Sequence, residues 1–73
     1  MVNIVPEAPV KLRLRELRES RFLTQEELAK AAGITVITVS RIERGVAEAR
    51  LRTVRKLAAA LGVEPAELVV RDD

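Results

Sequence analysis

Six cations, Arg41, Arg44, Arg50, Arg52, Arg55 and Lys56, fall in one short stretch that carries only two acids, Glu43 and Glu48. The stretch is locally basic in a chain whose net charge is only +2. Most of the cations of the chain are arginine, whose planar fork of donors suits phosphate oxygens. A basic surface on a small domain is the electrostatic footprint of a phosphate-bearing partner, and a solvated helix face is the plainer alternative. Other chemistry is poorly provided for. There is no histidine, cysteine or tyrosine. Thiolate or imidazole metal sites and disulfides are therefore excluded, and no cofactor is expected. The carboxylates sit on helical faces beside arginines, and no glycine-rich phosphate loop is present, so catalysis is not expected.

With 73 residues the chain has room for one small domain. Tight helix packing or oligomerisation must supply its stability, since no disulfide can. No segment approaches the roughly 18 apolar residues of a membrane span. The opening MVNIVPEAPV has no positive leader region, so the expected location is cytoplasmic.

Pro6 and Pro9 make residues 1–9 an extended arm. From Val10 the spacing Val10, Leu14, Leu17 predicts a first helix ending near Ser20. Thr24-Gln25-Glu26-Glu27 reads as a capping box opening a second helix, with Leu28, Ala31 and Ala32 facing inward and Gly33 ending it. Six consecutive β-branched residues, Ile34 to Val39, then suggest a strand. Alternation nevertheless breaks at Val36-Ile37, while Val39 and Ile42 keep helical spacing behind a Thr35 cap. The run costs about 3 kcal/mol of helix propensity in total, and burying Ile34, Val39 and Ile42 returns roughly 1.5–3 kcal/mol for each side chain. A third helix ending near Gly45 follows. Leu51, Val54, Leu57, Ala58 and Leu61 form a fourth amphipathic stripe closed by Gly62, and Pro65 opens a short fifth helix with Leu68 and Val69 inward.

Helices two and three, joined through Gly33 with small Ala29 at their crossing, have the pattern of a helix-turn-helix over residues 25–44. Val36 and Ile37 lie off the buried stripe at the exposed start of the third helix. They suit contact with thymine methyls, and Arg41 suits the O6 and N7 of guanine. Thr35 and Thr38 can hold phosphate through their hydroxyls. Placing Val36 and Ile37 in a protein interface is the competing explanation.

Three blocks in order, LTQEELAKAAGI, SRIERG and TVRKLAAALGV, resemble the lambda-repressor-like, Cro/C1-type helix-turn-helix family over residues 10–70. The resemblance implies an all-α, compact five-helix domain behind the N-terminal arm. It also implies a transcriptional regulator that binds double-stranded DNA as a homodimer, in the manner of a repressor, with helix 35–44 in the major groove. Gln25 would hold a phosphate. Thr35, Val36, Ile37, Ser40 and Arg41 would read bases. Arg44, Arg50 and Arg52 would approach the backbone from around the loop after Gly45, and Arg18 and Glu43 would form a structural ion pair. Dimer contacts are sought in the last helix (Leu68, Val69, Val70) or the arm (Val2, Ile4, Val5). The chain departs from the family pattern at Ala49, where proline is common, which leaves a looser loop. It departs again at Phe22, where glycine is common; as the only aromatic, Phe22 is expected in or near the core. An antitoxin-type module that binds a protein toxin and its own operator is the alternative function.

Overall fold

A computed structural model describes residues 11–70 of the chain. Five helices follow one another: α1 (Leu14–Ser20), α2 (Gln25–Ala32), α3 (Val36–Glu43), α4 (Leu51–Leu61) and α5 (Pro65–Leu68). The expected all-α, five-helix architecture is the one observed. The N-terminal arm lies outside the described residues, as do Val2, Ile4, Val5 and Val10.

The helix ends follow local chemistry. Thr24 Oγ1 accepts from the Glu27 amide at 3.0 Å, and the Glu27 carboxylate accepts from the Thr24 amide at 2.9 Å. At the other end of α2, Gly33 takes φ 72°, and Ile34 N–H reaches back to the Ala29 carbonyl at 3.0 Å. A Cβ at Gly33 would meet nothing within 4 Å, so conformation rather than space favours glycine there. The β-branched run is helical only in part. Ile34 precedes the helix and Thr35 caps it, accepting from the Thr38 amide at 3.1 Å. Only Val36 to Val39 bear the propensity penalty, which softens the conflict with helix formation.

The core is wholly aliphatic. Leu14, Leu28, Leu57 and Leu68 are fully buried, with Val39 and Val54 beside them. Ala29, 4% exposed, lets α2 and α3 cross closely. Ala49 is buried as well, so the loop before α4 is anchored rather than loose. Leu68 closes the core, which removes it as a dimer contact; Val69 is half-buried against the core and Val70 is exposed.

Three further expectations need correction. Helix α1 starts at Leu14, because residues 11–13 pair antiparallel with the end of the domain, Leu12 opposite Val69. Arg13 N–H donates to the Leu68 carbonyl at 2.9 Å and Val70 N–H to that of Lys11 at 3.0 Å. Ala31, expected to face inward, is exposed, while Ala29 is buried with Leu28 and Ala32 at the crossing where it is expected. Phe22 is 93% exposed and stands in the left-handed region at φ 57°. The turn geometry wants a glycine, and the bulky residue present is turned out into solvent. Arg21 fastens this turn from the adjacent position, its Nε donating to the Leu61 carbonyl at the end of α4 at 2.6 Å.

One ion pair ties α1 to α3. Arg18 Nε donates to Glu43 Oε2 at 2.6 Å and Nη2 to Oε1 at 3.0 Å, with side chains 10% and 2% exposed. Arg18 Nη1 donates to the Leu23 carbonyl at 2.7 Å. Burial alone would push the Glu43 carboxyl up. The hydrogen bonds from Arg18 and Gln25, with the Arg18 charge, outweigh burial and hold it below its ordinary value. The Arg18 guanidinium is raised, chiefly by its hydrogen bond to Glu43.

Two stability predictions follow from these arrangements. Phe22→Gly relieves left-handed strain and loses almost no burial. It should raise the unfolding free energy by about 0.5–1 kcal/mol after the added freedom of the unfolded glycine is counted; denaturant melts read this directly. Glu43→Ala leaves a nearly buried guanidinium with only the exposed Glu19 carboxylate, 3.9 Å away, as a charge partner, and should lower stability by about 3 kcal/mol near neutral pH. A depressed folded-state pKa lends stability that is complete above the ordinary value of 4.5 and is lost as pH falls through the folded value. The gap between parent and variant should therefore narrow on acidification below 4.5. Melts at several pH values test this, and a gap that does not move with pH would exclude the charge as its source.

Candidate nucleic-acid interface

Helix α3 has two unlike faces. Val39 and Ile42 point into the core. Val36, Ile37 and Arg41 are exposed and Ser40 is half-buried, the spacing of a single helical face. Ile37 is 59% exposed and Val36 37%, so both apolar side chains stand in solvent at the first turn. Arg44, just past the last turn, is exposed too. No acid lies in the first turn of α3. The one acid at its far end, Glu43, is turned inward onto Arg18. The exposed face therefore presents methyl groups, one hydroxyl and guanidinium, with no carboxylate to repel an anion.

Thr35 and Thr38 sit side by side, their hydroxyl oxygens 2.8 Å apart. One hydroxyl hydrogen is used between them, which leaves a single O–H to give outward.

The three helix starts differ in how they meet an anion. At α2, Thr24 already occupies the Glu27 amide, and Glu26 and Glu27 stand in the first turn. The two acids offset the dipole there, and the Gln25 side chain adds a neutral donor to the start of the helix. Gln25 is half-buried, and its Nε2 donates to Glu43 Oε1 at 3.0 Å. Spacing along the chain gave no sign of this contact. At α3, Thr35 supplies the cap. At α4, the N-cap is Arg50, which makes no side-chain cap bond, and no acid follows in the first turn. Arg50 and Arg52 are exposed there, stacking cations on the positive end of a helix dipole. Among the described residues, Arg41, Arg44, Arg50 and Arg52 join no ion pair. The proposed site residues thus divide into an exposed set on α3, an exposed arginine set around the α3–α4 loop, and the Arg18–Glu43–Gln25 cluster behind them.

Similarity to known proteins is extensive. A helix-turn-helix family model matches residues 14–68. The chain is 44% identical over 57 residues to the cryptic phage CTXphi transcriptional repressor RstR of Vibrio cholerae, across 78% of this chain and 51% of that protein. It is 47% identical over 53 residues to a candidate antitoxin, HigA2, of Mycobacterium tuberculosis, across 71% of this chain and 52% of that protein. The chain thus spans about half the length of these curated relatives. Its fold is similar to the P22 c2 repressor in a crystal structure with a synthetic operator, with TM-score 0.73 and 28% identity over 82% of this chain and 91% of that one. By its matched length, its helix order and its helix-turn-helix pair, the chain belongs to the Cro/C1-type helix-turn-helix family.

Proposed function

We propose that this chain is a sequence-specific double-stranded DNA-binding transcriptional regulator that acts as a repressor. The observation that carries this reading is the exposed face of α3, where Ile37 and Val36 stand in solvent beside Arg41 with no acid among them. Apolar methyls at a helix start are poorly suited to water and well suited to thymine methyls in a major groove. Arg41 takes a guanine edge, and Ser40 contributes its hydroxyl. Thr35 or Thr38 donates its remaining O–H to phosphate. Gln25, Arg44, Arg50 and Arg52 complete a belt of backbone contacts that position the helix without reading sequence.

The chain works as a homodimer in this reading. Two half-sites lie about 34 Å apart, one helical turn, and the operator carries the matching two-fold symmetry. Repression follows from occupancy of a promoter, and the protein is cytoplasmic. Among the described residues, no helix is long and apolar enough to cross a membrane. A second reading, an antitoxin that binds a toxin as well as its operator, is favoured by the similarity to HigA2. Co-purification of a second chain expressed from the neighbouring gene distinguishes it.

Selection from a random duplex library tests the main reading, with enrichment of a two-fold symmetric sequence as the expected result. Affinity for the selected duplex should fall steeply with salt as counterions are released. Arg41→Ala should relax sequence choice at one position, by about 1–3 kcal/mol of discrimination. Arg50→Ser should do something different. It supplies the missing cap of α4 and should raise stability by about 1 kcal/mol. It should also weaken every duplex alike and lower the salt slope by about 1. Parallel melts and salt titrations read both effects, and a stabilised variant with undiminished affinity would remove Arg50 from the interface.

A further inference from the structure

The part-buried bond from Gln25 to Glu43 joins the start of α2 to the end of α3. Glu43 Oε1 accepts from two donors, Arg18 Nη2 at 3.0 Å and Gln25 Nε2 at 3.0 Å. We propose that Glu43 is a positioning residue for DNA, orienting the Gln25 side chain so that its remaining amide N–H meets a phosphate.

The physical case rests on what a carboxylate permits. It only accepts hydrogen bonds, so it admits the nitrogen of the Gln25 amide and excludes the oxygen. Gln25 otherwise has two near-equivalent amide orientations, one of which turns its carbonyl oxygen to the partner. Glu43 abolishes that choice. Glu43 is itself immobile, because its side chain is 2% exposed and Arg18 grips both of its oxygens. Arg18 is pinned in turn to the Leu23 carbonyl at 2.7 Å, in the turn just before α2. The orienting group is therefore held through Arg18 to the turn that leads into the helix it orients.

Charge bears on the same point. A lone carboxylate next to a phosphate contact would repel it. Arg18 neutralises Glu43 where the two meet, so Glu43 can orient Gln25 without opposing the anion that Gln25 receives. The dipole at the start of α2 is a weak substitute for this arrangement, since Thr24 takes the Glu27 amide and the carboxylates of Glu26 and Glu27 stand beside the amides that stay open. The Gln25 side chain is the neutral donor that α2 adds, and its direction is set from α3.

This inference rests on the DNA-binding reading above. The test is a double-mutant cycle of Gln25→Ala and Glu43→Gln, measured as duplex affinity of the folded proteins at low temperature. Glu43→Gln keeps the shape of the side chain and an acceptor for Arg18, but no longer forces the Gln25 amide. Glu43→Gln alone should weaken the selected duplex and an unrelated duplex alike, by about tenfold. In the Gln25→Ala background its effect should fall below about twofold. Equal losses in both backgrounds would make Glu43 purely structural and overturn the proposal. So would an unchanged affinity for Gln25→Ala, which leaves DNA binding intact with nothing to position. Failure of the unaltered chain to bind any duplex would instead overturn the functional reading and take this inference with it. Should Glu43→Gln not fold, the side-chain amide of Gln25 in the unaltered protein gives a second readout by NMR relaxation. An ordered amide in the free protein that shifts on adding duplex supports the proposal, and a freely rotating one overturns it.

Discussion

A single carboxylate, that of Glu43, receives donors from two other helices. Arg18 comes from α1 and Gln25 from α2, while Glu43 ends α3. In a domain of 73 residues with an aliphatic core, few contacts join so many elements. An ion pair that is nearly dry is a weak source of net stability, since desolvation offsets most of its attraction. Its value lies in geometry. Apolar packing tolerates small sliding of α3 over α2, whereas a bidentate guanidinium–carboxylate pair admits one register. The pair fixes α3 against α1, and Gln25 extends that fixed frame to the start of α2.

A frame of this kind matters because α3 must be apolar on opposite sides for different reasons. Val39 and Ile42 bury themselves against α2, while Val36 and Ile37 remain in solvent. A helix with methyls on both faces could rotate its exposed methyls into the core and its core methyls out. The Thr35 cap at one end and the Glu43 anchor at the other prevent this. Helix α4 shows the opposite strategy. Its start lacks a side-chain cap and carries arginine, and the buried Val54, Leu57 and Leu61 compensate by packing.

The parts of this fold legible in the sequence are those written locally. Thr24 with Glu27, and Gly33 and Gly62 at φ near 70°, set helix ends that could be read from neighbouring residues. The third helix was readable despite six β-branched residues, because the break in alternation at Val36-Ile37 leaves only helical spacing consistent with a buried stripe. The same spacing also left Val36 and Ile37 outside, as the structure has them. What failed depended on distant partners or on backbone sign. Val10, Leu14 and Leu17 keep helical spacing, yet the backbone before Leu14 is claimed by residues 68–70 at the far end of the domain. Phe22 was read from its chemistry, while a left-handed turn decided its place. Ala29 is legible at the crossing of α2 with α3, whereas Ala31, equally small, turns out on the exposed side. The Gln25–Glu43 bond joins residues 18 positions apart, and no local pattern announces it.

The pairing of Leu12 with Val69 also orders events in time. Arg13 Nε donates to the Glu67 carbonyl at 2.7 Å across a separation of 54 residues. Closing a loop of that size opposes assembly by on the order of 3–4 kcal/mol of chain entropy. The contact between α2 and α3, by comparison, joins adjacent segments and can form while the chain is still short. On a translating ribosome the helix pair that carries Val36, Ile37 and Arg41 can therefore assemble early. The pairing of residues 11–13 with residues 68–70 must wait until Leu68 has left the exit tunnel, so the two ends of the domain are joined last.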